Sequence, residues 1–109
     1  MQRLFVYGTL APGKENHHLL ENLSGPWNKA SIIGKLLDKG WGAELNCPGI
    51  VLSSEGEEVK GYVFSSSDLS DYWPILDEFE GGDYQRVQTT IKTEDNKEVL
   101  AYVYILDLS

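Results

Sequence analysis

The stretch Gln2–Tyr7 constrains the fold most. It reads as a strand, yet both of its faces are apolar: Leu4 and Val6 point one way, Phe5 and Tyr7 the other. A strand of that kind is expected to be covered on both sides. Further strands are predicted over Ala30–Leu37, Ile50–Leu52 and Val59–Phe64, the last two flanking the acidic turn Ser54–Glu58. Tyr84–Thr93 and Val99–Leu106 read as a hairpin closed by Glu94-Asp95-Asn96-Lys97. Two short helices interrupt the strands. One covers His17–Leu23, with Asn16 as its N-cap and Leu19, Leu20 and Leu23 as its apolar stripe. The other is capped by Asp71, takes Pro74 in its first turn, runs to about Phe79 and stops at Gly81-Gly82. Gly40–Gly49, with three glycines and a Cys-Pro pair, reads as irregular. Many strands with two short helices predict an α+β fold: a small mixed or antiparallel sheet curled into a β-barrel, with short flanking helices packed beside it.

Composition narrows the partners. At 109 residues the chain is expected to form one domain spanning 1–109, large enough to bury a core without staples. A net charge of −8, with scattered lysines and arginines, argues against nucleic acid or an anionic membrane as the main partner. Cys47 is the only cysteine, which excludes an intramolecular disulfide and a thiolate metal cluster and fits a small buried hydrophobe. The first residues do not read as a signal peptide, and no segment has the length of a membrane span, so a cytoplasmic protein is expected. His17 and His18 are adjacent and so cannot share a helical face as two metal ligands; a surface or capping role fits them better, and no metal is expected. Trp27 and Trp41 read as core or pocket-rim residues.

The second helix carries the candidate catalytic group. Trp73, Leu76 and Glu80 lie at i, i+3 and i+7, on one face, so Glu80 continues an apolar stripe with a carboxylate. Asp77 and Glu78 fall on other faces and read as solvated charges. A buried carboxylate is costly unless paired or protonated, and desolvation raises its pKa toward the range of a general acid or base. Two plainer outcomes stand beside that one: Glu80 turning outward at the helix end, or pairing with Arg86. At the other end of the chain, Gly8 follows a strand directly, which lets a ligand approach the backbone, and Thr9 adds a hydroxyl. Successive N–H groups in such a turn form an anion nest. Gly13-Lys14 lacks the spacing of a phosphate loop.

The segments "VYGTLAPGKENHHLL" and "LDEFEGGDYQRV", with "PGIVLSS" and "EVKGYVF" between them, resemble the gamma-glutamylcyclotransferase-like superfamily, and within it the gamma-glutamylamine cyclotransferase and AIG2-like branch. The resemblance covers nearly the whole chain. It implies a barrel of mixed strands with flanking helices. It implies that the loop Tyr7, Gly8, Thr9, Leu10 cradles a gamma-glutamyl group through backbone N–H groups. It also implies that the catalytic glutamate is the residue before the Gly of "FEG", which is Glu80. The reaction implied closes a gamma-glutamyl amine or peptide to 5-oxoproline and releases the amine, with a small molecule as partner and no cofactor. Tyr84 is a candidate pocket wall, Arg86 a structural residue, and Tyr7 either pocket wall or core. Asn16-His17 matches the family pattern after the first loop and reads as packing or loop support. Some members carry a longer C-terminal segment, so the end at Ser109 predicts a more open pocket or a different acceptor. The alternative on the same fold is a non-catalytic module that binds gamma-glutamyl metabolites. An enzyme that trims a gamma-glutamyl protecting group would use the same glutamyl half-site.

Overall fold

The computed structural model describes residues 2–8, 10–14, 16–37 and 49–107. Among the described residues six strands follow in chain order: β1 (Gln2–Val6), β2 (Trp27–Leu37), β3 (Gly49–Leu52), β4 (Glu57–Ser66), β5 (Tyr84–Thr93) and β6 (Glu98–Leu106). The one α-helix among the described residues, α1 (Leu69–Glu80), lies between β4 and β5. The sheet order is β3-β2-β4-β1-β6-β5, and β5 returns to pair with β2. Five strands thus close a barrel, and β3 is the extra one. The edge of β2 is shared to make this possible. Ala30 and Ser31 pair with β5, whereas Gly34 to Leu37 pair with β3. All pairings are antiparallel except β1 with β6, so the sheet is mixed, as expected.

The period-2 alternation of β1 sorts its residues into two cores. Phe5 faces into the barrel with Ala30, Ile32, Val59, Val63, Ile91, Ala101 and Val103. Leu4 and Val6 face outward, into a second layer with Phe64, Leu69, Trp73, Leu76 and Tyr104. Both faces of β1 are therefore buried, and Leu4 and Phe5 are essentially inaccessible. Helix α1 supplies the outer cover through Leu69, Trp73, Leu76 and Glu80, all buried and at helical spacing.

Two helix boundaries differ from expectation. Helix α1 begins at Leu69 with Asp68 in the cap position, so Asp71 sits in its first turn and Pro74 in its second. The Asp68 carboxylate accepts the Ser24 N–H at 2.9 Å rather than capping the helix. Tertiary anchoring has moved the start upstream of where propensity alone puts it. The N-terminal helix contracts to a 3-10 turn, His17–Leu19, continued by turns to Leu23. Seven residues are too few to sustain an α-helix without an outer partner. Gly40 to Pro48, with Trp41 and Cys47, lie outside the described residues.

Candidate active site

Glu80 stands where the second core layer meets the helix end. It is 9% exposed. Burial lifts its pKa from 4.5 to about 7, because desolvation penalises the charged form. The helix stops directly after it. Gly81 adopts φ +76°, a left-handed conformation that glycine accepts without strain, and its N–H bonds the Asp77 carbonyl. The Glu-Gly pair is thus a local device: the glycine ends the helix so that the carboxylate occupies its last turn.

Tyr7 stands near Glu80. Its hydroxyl donates to the Tyr104 carbonyl at 2.7 Å and accepts from the Ile50 N–H at 3.0 Å. It therefore fastens β3 to β6 across the end of β1. Burial pushes the phenol well above its ordinary value; the Ile50 bond pulls the other way, and the charges of Glu80 and Tyr84 push it further up. Tyr7 is partly buried, and its hydroxyl is engaged by backbone groups on both sides. Tyr84, half-buried at the start of β5, packs against the second core layer and lies within electrostatic range of Tyr7.

The loop after β1 is tied back on itself. The Gly8 carbonyl accepts the Ala11 N–H at 3.0 Å. The Leu10 carbonyl is bonded by Nδ1 of His17 at 3.1 Å, and the His17 ring leans on Trp27 with centroids 5.1 Å apart. His17 both ties the loop and packs against Trp27, the two roles that the family resemblance implied. Leu10 is 5% exposed and part of the core, so only its backbone is available to a ligand. Thr9 lies outside the described residues.

Asp77 departs from its expected role. It is no purely solvated charge. Arg86 donates to it through Nε at 3.0 Å and Nη2 at 3.2 Å, and the Tyr104 hydroxyl donates at 2.7 Å. Arg86 and Tyr104 are directly opposed in the β5–β6 register, so both side chains leave the same face of the hairpin. The guanidinium also lies 4.5 Å from the centre of the Trp73 ring and 5.2 Å from that of Tyr102. The structural role expected of Arg86 holds, with Asp77 as its ion-pair partner. Tyr104 was not singled out by sequence. Counting back from the hairpin turn to its cross-strand partner Arg86 is the signal that finds it.

No group of three or more histidine, cysteine, aspartate or glutamate side chains suited to a metal ion occurs among the described residues. No helix among them is long and apolar enough to cross a membrane.

A mixed five-stranded barrel carrying a buried glutamate at a helix end, beside the loop after its first strand, defines a recognisable class. The chain belongs to the gamma-glutamyl cyclotransferase, AIG2-like family, whose model matches residues 4–109. Among individual proteins it is 32% identical over 97 residues to the gamma-L-glutamyl-butirosin B gamma-glutamyl cyclotransferase of Niallia circulans, covering 89% of this chain and 60% of that one. The fold matches YkqA of Bacillus subtilis with a TM-score of 0.74 at 27% identity, over 99% of this chain and 36% of that one. It matches an AIG2-like protein of Mus musculus with a TM-score of 0.73 at 26% identity, over 100% of this chain and 79% of that one. The chain thus spans 60% of the Niallia relative's length and 36% of that of YkqA.

Proposed function

We propose that this protein is a gamma-glutamyl cyclotransferase that closes a gamma-glutamyl amide to 5-oxoproline and releases the amine, with Glu80 as general base and then general acid. The observation that carries the reading is the Glu80 carboxylate buried at the helix end beside Tyr7, where burial pushes its pKa up to about 7. Family membership and the Niallia relative's name support the reaction class.

The chemistry needs little else. The substrate's α-amine attacks its own γ-carbonyl, and a C–N bond forms that closes a five-membered ring. Glu80 takes the proton that the amine loses. The tetrahedral centre collapses, the amide C–N bond breaks, and the same proton passes to the departing nitrogen. No water is consumed. A carboxylate with a pKa near neutrality can both accept and return a proton, which an ordinary surface glutamate does poorly. The remaining barrier is geometric: the glutamyl chain must fold onto itself, and a fitted pocket supplies that orientation. In this reading the backbone from Tyr7 to Leu10, including Thr9, holds either the α-carboxylate or the developing oxyanion with its N–H groups. The ties on the Gly8 and Leu10 carbonyls support this by fixing how that loop presents its backbone. Tyr84 forms a wall of the same pocket.

The test is incubation with gamma-glutamyl amines, dipeptides and gamma-L-glutamyl-butirosin B, with 5-oxoproline read by mass spectrometry. The wild type is expected to form it from at least one substrate class, and Glu80→Gln to lose about three orders of magnitude in kcat while remaining folded. Binding of 5-oxoproline without turnover of any substrate would instead make the protein a gamma-glutamyl metabolite-binding module.

A further inference from the structure

The last turn of α1 is electrostatically poor. Asp77, Glu78 and Glu80 place three carboxyl groups at the helix C-terminus, where the macrodipole already presents negative charge, and no basic residue lies in that turn. Gly81 follows at once and adds no side-chain contact. Left to itself, such a turn frays, and Glu80 would move with it. The compensation comes from the hairpin. Arg86 brings the missing positive charge and grips Asp77 at two points, and Tyr104 adds a third bond to the same carboxylate. Arg86 itself lies over two rings that touch each other, that of Trp73, one turn earlier on α1, and that of Tyr102 on β6.

An exposed ion pair alone would matter little, and the Asp77 side chain is 44% exposed. Three features set this one apart: the two-point geometry, the stacked guanidinium and the buried tyrosine hydroxyl, with Tyr104 only 5% exposed. Tyr104 also reaches the other half of the site. Its backbone carbonyl accepts the Tyr7 hydroxyl, at the point where β1 enters the first loop. One residue of β6 therefore contacts the end of α1 with its side chain and the end of β1 with its backbone.

We propose that Asp77, Arg86 and Tyr104 form a positioning group that fixes the last turn of α1, and with it the Glu80 carboxylate, relative to the loop after β1. Its effect on turnover rests on the cyclotransferase reading; its effect on Glu80 does not. None of the three is a catalytic residue in this account.

The experiment is a 13C-carboxyl NMR titration of Glu80 in the full chain, in the wild type, Tyr104→Phe and Arg86→Lys, with kcat and KM measured alongside. Tyr7, just after β1, and Tyr104 from β6 lie within electrostatic range of Glu80; Tyr84 from β5 lies beside Tyr7, and Arg86 from β5 and Asp77 from α1 lie beside Tyr104. Tyr104→Phe removes no charge near neutrality, and Arg86→Lys keeps its charge while losing the two-point grip. In Tyr104→Phe the Glu80 midpoint is expected to fall from about 7 toward 4.5 as the turn loosens and water reaches the carboxyl. The kcat should fall about tenfold with KM within about twofold. A folded Tyr104→Phe with the wild-type midpoint overturns the proposal. If that variant does not fold, the midpoint of Arg86→Lys decides on the same criterion. Wild-type protein with no turnover would remove the cyclotransferase reading alone, since the midpoint still judges the positioning group.

Discussion

The barrel interior and the layer beneath α1 are both buried, but they are built from different chemistry. Inside the barrel the described core is a cluster of apolar residues, from Phe5 to Val103. Beneath the helix, an apolar layer of comparable size borders Glu80 and the Asp77–Arg86–Tyr104 group. Both draw on the same strands, one residue out of phase: Phe5 faces in where Leu4 and Val6 face out. The interior can therefore serve stability alone, while the outer layer gives up some stability to hold a carboxyl whose charged form it disfavours. Strain of that kind gathers where function does.

The largest expected effect breaks the barrel side of this contrast. Phe5→Ala removes the bulkiest fully buried side chain of the interior and should cost about 3–5 kcal/mol in denaturant unfolding. A loss of under about 1 kcal/mol would mean that the interior repacks freely and is not the stability core.

The next effect has the opposite sign and belongs to the outer layer. Glu80 has a folded pKa of about 7 against an unfolded value near 4.5. Its protonated form is favoured in the fold, so this contribution is fully present below about pH 4.5 and is lost as pH rises through about 7. Glu80→Gln cannot ionise. It lacks this contribution to the pH dependence, and at pH 8 it should exceed the wild type by about 2–3 kcal/mol. Thermal melts at pH 4 and pH 8 check this. A variant no more stable than the wild type at pH 8 would show that the carboxyl is not strained.

Much of this contrast was legible in the residues. The two-faced Leu4–Val6 pattern required cover on both sides, and the Trp73, Leu76, Glu80 spacing selected the carboxylate before any geometry was known. The strand positions followed from their alternation; the ends of β2 and β4 ran longer because pairing between them continues past the apolar residues, through Trp27 with Phe64 and Gly34 with Glu57. The role of Asp77 was not legible from its own helix, where it lies off the apolar stripe. It depends on Arg86 and Tyr104, which are far apart in the chain and become neighbours only through the hairpin register. Tyr7 was ambiguous for a similar reason: the acceptor and donor that occupy its hydroxyl are backbone groups of Tyr104 and Ile50, and side-chain patterns carry no trace of them. The start of α1 was misplaced because Asp68 bonds a distant backbone N–H rather than its own helix.

The central claim is that the buried Glu80 carboxyl carries the proton in a cyclisation reaction. The most direct test is the pH dependence of kcat/KM for 5-oxoproline formation, with Glu80→Gln measured in parallel. The account predicts a rate that rises with pH through a midpoint of about 7, the value burial gives this carboxyl, and no such limb in the variant, which makes essentially no product. A Glu80→Gln protein that forms 5-oxoproline at the wild-type rate, or a wild-type profile that is flat through pH 7, would contradict it.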